Sequence, residues 1–210
     1  AFPSFKEDLS ALLERLEKNA ATVTIENFTT GQLEESTFSQ NDLAVLIRMS
    51  LYSSWGTSTL PLVLHEASTR NNYAPLVRQS KNLYRKMSAA LSLGMHNSVV
   101  CTEDVPFYKP ELIDRDKIAS TYIGTLLLDA MQAICEVWPQ GVLDQGFKAA
   151  VVSGRPVLLL SGSADPITPP AYAAKIALTL KHSLHIINKN HGHGPFHLGW
   201  IPTMKANFIN

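Results

Sequence analysis

The chain has 210 residues, 45% of them hydrophobic and 17% charged, a composition that can build one or two packed units and has none of the bias of a disordered segment. Eighteen Lys and Arg balance eighteen Asp and Glu, so there is no basic field to hold nucleic acid and no charge asymmetry to steer an ionic partner. No apolar run approaches the ~20 residues of a membrane span, and the first residues lack the charged-then-apolar pattern of a secretory signal.

In chain order, residues 4–20 read as an amphipathic helix, with Ser4 and Glu7 at capping-box spacing and Phe5, Leu9, Leu12, Leu13 and Leu16 on one face. The β-branched alternation of residues 21–25 and the Thr30-Gly31 turn predict a short strand or hairpin outside the main sheet. Helical spacing returns from Asn41 to Leu51, followed by a polar break over residues 52–59. Two further helices are predicted, over residues 60–68 and 73–91, the second with Pro75 in its first turn.

Residues 97–101 read as a short strand that ends in the acidic turn Thr102-Glu103-Asp104. One long helix is predicted over residues 114–138, where Ile118, Tyr122, Leu126, Ala130, Ile134 and Trp138 recur every four residues before Pro139 and Gly141 stop it. After Arg155-Pro156 the texture becomes strand, helix, strand. Val157 to Leu160 is an apolar run of the kind buried on both faces of a parallel sheet. Thr168 is placed to cap a helix that has Pro169 and Pro170 in its first turn and runs to about Lys181, and residues 183–187 form the next strand. The expected division is a mainly helical region with short strands over 1–141 and a strand-helix-strand part over 142–210.

The chemistry concentrates in this last part. Asp165 stands in the turn after an apolar strand, at the edge of an open α/β sheet where sites gather. A carboxylate there can orient a histidine and stabilise the imidazolium that forms during nucleophilic catalysis. The alternative use of Asp165 is simply to start an Asp-Pro turn. His193 follows 28 residues later between Gly192 and Gly194, far enough for one helix and one strand to return the chain to the same edge. His191 is the rival for the same role.

Five of the seven histidines lie between 182 and 197, and His191, His193 and His197 could supply three nitrogens to zinc. Against this, the spacing crosses a Gly-rich turn with no acid or Cys ligand beside it, and no cofactor or metal is expected. Cys101 and Cys135 are too few for a disulfide-dense scaffold; they pair or lie buried as two thiols.

A serine nucleophile raised at a sharp strand-to-helix turn sits in a G-x-S-x-G elbow, and none occurs in the sequence. Ser58 lacks the final glycine and precedes a helix. Ser161 and Ser163 flank Gly162 beside Asp165, with no room for a substrate.

The segments Pro156 to Pro170, containing Asp165-Pro-Ile-Thr-Pro-Pro, and Gly192-His193-Gly194 resemble the tripeptidyl-aminopeptidase and prolyl-aminopeptidase-like α/β-hydrolases. Asp42-Leu-Ala to Leu51-Tyr52, Leu60-Pro61, Val100 to Asp104 and Cys135 to Pro139 are similar to the helical cap of that group, so the resemblance runs from about residue 20 to the C-terminus. It implies the C-terminal portion of an α/β-hydrolase fold, with a mainly helical cap and an incomplete sheet.

The implied activity is that of a serine aminopeptidase that releases residues or short peptides from free N-termini, with Asp165 as triad acid and His193 as general base. The nucleophile would lie in a first half absent from this chain, which alone would be inactive. The resemblance further implies that Glu103 and Asp104 read the substrate's ammonium group, against the alternative of a solvated turn, and it favours a Cys101–Cys135 disulfide. An open sheet edge is expected to recruit the missing half or a second copy. A periplasmic, secreted or cytoplasmic setting is equally compatible. The competing readings are a non-catalytic binding domain derived from a hydrolase and a His-rich metal protein.

Overall fold

A computed structural model of the chain describes residues 2–194 and 199–209. The chain is mixed helix and strand, with two small sheets, and divides into two compact units. Ala1–Arg48 and Pro61–Gln145 form the first; Met49–Leu60 and Gly146–Asn210 form the second. Among the described residues no helix is long and apolar enough to cross a membrane.

The first unit opens with α1, Phe5–Lys18, which buries Asp8, Leu12 and Leu16 at strict four-residue spacing. The capping box is not formed. Ser4 makes no cap bond, and its hydroxyl instead donates to Asp8 Oδ2 at 2.9 Å, because Asp8 lies on the buried stripe and has to be satisfied there. His65 Nδ1 completes that pairing at 2.9 Å. The His65 hydrogen bond, opposed by burial and helped by Ser4 and Ser68, holds the Asp8 carboxyl below its usual value.

Strands β1, Ala21–Glu26, and β2, Leu33–Phe38, form an antiparallel hairpin with Ala21 opposite Phe38 and Glu26 opposite Leu33. Its buried side carries Ile25 and Phe38. Helix α2, Gln40–Ser50, adds the buried Leu43, Leu46 and Ile47. Helix α3, Ser54–Arg70, starts six residues earlier than the polar texture predicts and runs through Pro61. The hydroxyls of Thr57, Ser58 and Thr59 donate to carbonyls of Ser53, Trp55 and Gly56 one turn back, which lets a polar stretch sit inside a helix. Helix α4, Ala74–Ala90, carries Pro75 in its first turn and buries Leu76 and Val77.

Two sequence expectations fail in the next stretch. The run at 97–101 is helical: α5, Leu93–Val99, is capped by the Ser92 side chain and continues into a π-helical turn, Val100–Asp104. Its β-branched residues are overridden by the cap and by tertiary packing of Cys101. The single helix over 114–138 is two: α6, Arg115–Ala119, and α7, Leu126–Val137. The hydroxyls of Ser120 and Thr121 donate to the carbonyls of Lys117 and Ile118, and Gly124 takes φ +54°, the left-handed conformation a glycine adopts at little cost. Cys101 and Cys135 are both buried and joined by a disulfide that ties the π turn to α7.

The second unit contains β3, Ser153–Gly162, then α8, Pro170–Ala177, then β4, Leu180–Asn188, and ends with α9, Ile201–Ile209. The two strands pair in parallel, from Val157 opposite Ser183 to Gly162 opposite Asn188. The register slips between Ser153 and Pro156, where proline has no N–H to give to the ladder. Val157 to Leu160 reach only half-burial, since among the described residues each strand pairs only with the other and the sheet lacks the covering that a fully apolar run calls for.

Candidate active site

The ends of β3 and β4 lie side by side, and the chain leaving each is stitched to the other. Ser163 N donates to the Asn188 carbonyl, Ala164 N to the His191 carbonyl, and Asn190 N to the Ser163 hydroxyl. Gly162 is needed here because a Cβ would collide with the carbonyls of His191 and Gly192. This stitching carries the turn after β4 over the turn after β3.

Asp165 is buried in the β3 turn, with only 2% of its side chain exposed. Its Oδ1 accepts from the N–H groups of Ile167 at 2.8 Å and Thr168 at 2.9 Å, the bonding of an Asx turn. Its Oδ2 accepts from the Thr168 hydroxyl at 2.8 Å. His193 Nδ1 stands 3.0 Å from Oδ2 and 3.2 Å from Oδ1. Asp165 thus both builds the turn and faces the histidine. Burial pushes its carboxyl up, but the N–H donors of Thr168 and Ile167, the Thr168 hydroxyl and His193 together outweigh burial and hold it below the usual carboxylate value.

A carboxylate that faces Nδ1 makes that nitrogen a donor, which leaves the lone pair on Nε2. With 36% of the His193 side chain exposed, a reacting group can approach the ring. Tyr52 meets the imidazole edge-on, with ring centroids 5.2 Å apart and planes at 73°. The arrangement orients the imidazole with Nδ1 toward the buried carboxylate and the ring partly open to solvent.

His191 takes a different partner. Its Nδ1 lies 3.2 Å from the hydroxyl of Ser54, which also donates to the Asn190 carbonyl at 3.3 Å. Ser161 is buried and pairs with His185 Nε2 at 2.9 Å. Of the three histidines weighed as zinc ligands, His197 lies outside the described residues, and His191 and His193 turn to Ser54 and Asp165. Among the described residues no three His, Cys, Asp or Glu side chains come together as a metal would require.

Glu103 and Asp104 lie in the π turn of the first unit, while Asp165 and His193 belong to the second. Sequence reasoning missed Tyr52 and Ser54, which sit in a stretch read as a polar break and more than 130 residues from the histidine turn; no local signal marks them. The sequence places Thr168 as a helix cap. It caps nothing, because Pro169 takes the cap position and the Thr168 hydroxyl is spent on Asp165. The spacing Asp165-x-x-Thr168, suited to an Asx turn, was the available signal.

Residues 120–199 match the Abhydrolase_4 family model, described as TAP-like protein. No curated protein and no solved structure matches the chain. The matched stretch includes α7, β3, α8 and β4 and contains both Asp165 and His193. Over residues 120–199 the chain is thus similar to the TAP-like α/β-hydrolases.

Proposed function

We propose that this chain supplies the acid and the base of a serine aminopeptidase, Asp165 and His193, and that the nucleophile comes from sequence outside these 210 residues. The observation that carries the reading is the 3.0 Å approach of His193 Nδ1 to a buried, ionised Asp165 inside the TAP-like stretch. Asp8 and His65 make a comparably close pair in the first unit, so the contact alone does not mark an enzyme; what favours one over an interaction module is that the Asp165–His193 pair lies at the ends of two parallel strands inside the TAP-like stretch.

In this reading Nε2 takes the proton of a serine hydroxyl as it attacks the scissile carbonyl, and returns it to the leaving amine. Asp165 stabilises the imidazolium between the two transfers and does not itself become protonated. Residues 1–141 act as the helical cap and 142–210 as the closing part of the catalytic core. Glu103 and Asp104 offer carboxylates to the free ammonium of the substrate, since a desolvated ammonium needs a paired charge. Strands β3 and β4 are continued by the segment that bears the nucleophile.

The reading is tested on chromogenic aminoacyl and tripeptidyl amides, using these 210 residues alone and the polypeptide the reading calls for, in which a G-x-S-x-G segment precedes them. The longer polypeptide should cleave, and His193→Ala in it should lose about 10³-fold or more in kcat/KM. Turnover by the 210 residues alone would place a nucleophile within them and overturn the division of labour.

A further inference from the structure

The cluster around His193 holds one group that an acid–histidine pair does not by itself require. The Thr168 hydroxyl oxygen lies 2.8 Å from Asp165 Oδ2 and 3.2 Å from His193 Nδ1. Nδ1 therefore faces three oxygens, the other two being those of Asp165 at 3.0 and 3.2 Å.

A threonine hydroxyl has one proton and two lone pairs, and an ionised carboxylate can only accept. Held below the usual carboxylate range, Asp165 is ionised at neutral pH and takes the hydroxyl proton. Both lone pairs of Thr168 are then available to accept, and Nδ1 lies within reach at 3.2 Å. All three oxygens around that nitrogen are acceptors, and a bare Nδ1 would oppose lone pair to lone pair on every side. Thr168 also gives its backbone N–H to Oδ1, so a single residue grips both carboxylate oxygens and fixes the plane the imidazole meets.

We propose that Thr168 is a positioning residue, whose hydroxyl donates to Asp165 Oδ2 and accepts from His193 Nδ1–H, and so keeps the proton on Nδ1 and the lone pair on Nε2. The catalytic consequence rests on the reading of His193 as general base; the hydrogen bond itself does not. The ring is partly exposed, so a loosened Nδ1–H would meet water, and in water the two neutral tautomers interchange.

The test is nitrogen-15 and proton NMR of the His193 side chain in this chain, at a pH where the nitrogen shifts themselves show the imidazole neutral. The unsubstituted protein should show a proton on Nδ1 and a bare Nε2, with a nuclear Overhauser contact from the Nδ1 proton to the Thr168 hydroxyl. Thr168→Val keeps the branched shape and the backbone N–H; it should speed exchange of the Nδ1 proton with water about tenfold, the scale of one hydrogen bond, and admit some Nε2–H tautomer. Thr168→Ser should restore both.

If valine disturbs the fold, Thr168→Ala and the Overhauser contact in the unsubstituted chain carry the test. Unchanged exchange and tautomer without the hydroxyl, or a visible Nδ1 proton with no contact to it, would overturn the role of Thr168 alone. A proton on Nε2 in the unsubstituted protein would overturn the base assignment as well. Failure of the peptide assay with these spectra intact would sink the proposed activity and leave Thr168 in place.

Discussion

Gly192 sits so close beneath Tyr52 that a Cβ on it would stand 2.7 Å from the Tyr52 carbonyl oxygen, and equally close to that of Leu51. These are backbone atoms and cannot swing aside. The same approach sets the Tyr52 ring against His193, one residue on. Gly192→Ala should therefore destabilise the second unit by about 1–3 kcal/mol, the usual range for overpacking. It should also shift the His193 resonances. Gly146→Ala is the control, since nothing lies within 4 Å of the atom it adds. Equal urea midpoints for the two variants would mean that the histidine turn yields without cost.

The depressed carboxyl of Asp165 makes a prediction about acid. Its native value lies below the ordinary one of about 3.9, so as pH falls the unfolded chain takes up the proton first. The stabilisation is complete above that ordinary value and disappears as pH drops through the native one. Asp165→Asn removes the ionising group and should flatten this part of the pH dependence. Denaturation should be followed at His193, because Asp8 in the first unit is also held low, chiefly by its bond to His65, and contributes an acid slope of its own. The same slope at His193 with and without Asp165 would assign the acid sensitivity of this unit elsewhere.

In the first unit the Cys101–Cys135 bond closes a loop with a sequence separation of 34 residues. Loop-closure entropy for that length is about 3–4 kcal/mol. A Cys101→Ala, Cys135→Ala double variant should lose roughly that much in the transition of this unit, plus a smaller cost for two trimmed side chains. Differential scanning calorimetry separates it from the second unit if the two melt apart. Loss of less than about 1 kcal/mol would show that the reduced chain is already constrained near the π turn.

The break between α6 and α7 turns on Gly124, whose φ of +54° is strained for any residue with a Cβ. Its Cβ position is open space, so Gly124→Ala isolates the backbone term. The expected cost is about 1 kcal/mol, read from the denaturation midpoint. A gain in stability with added helical circular dichroism would mean that residues 115–137 have straightened into the single helix that their four-residue periodicity predicts.

That break shows where the sequence was legible and where it was not. Repeating positions located α1 and β1, because burying one face leaves a period in the residues themselves, and the Thr30-Gly31 turn left a strand or a hairpin open. The pair of Asp165 and His193 was legible for a related reason: 28 residues fit one crossover helix and one returning strand, and Gly192 and Gly194 flag the turn around the histidine, whereas the close approaches at Gly162 and Gly192 show only in the structure. The same periodicity runs unbroken through Gly124, since a pattern of side chains says nothing of φ. Residues 97–101 looked extended from their composition, yet the Ser92 cap and the buried Cys101 carry them into helix. Tyr52 and Ser54 act on the histidine turn across most of the chain, and Ser4 is drawn from its capping box by a buried carboxylate. Such pairings arise from tertiary contact and leave no local trace.

The last prediction concerns β3 and β4, each of which, among the described residues, pairs only with the other. Leu184 and Ile187 remain 51% exposed on a strand whose composition suits burial. Unpaired N–H and carbonyl groups beside exposed apolar side chains are a template for another strand. Under the proposed function that strand belongs to the segment bearing the nucleophile. The 210 residues alone should then associate with rising concentration in sedimentation equilibrium, and a Leu184→Lys, Ile187→Lys variant should shift toward monomer. The longer polypeptide should be less prone to associate than either, its edge having been filled from within. A monomer at every concentration would show that the sheet is content with two strands, and the case for a missing neighbour would fall while the geometry of Asp165 and His193 stood.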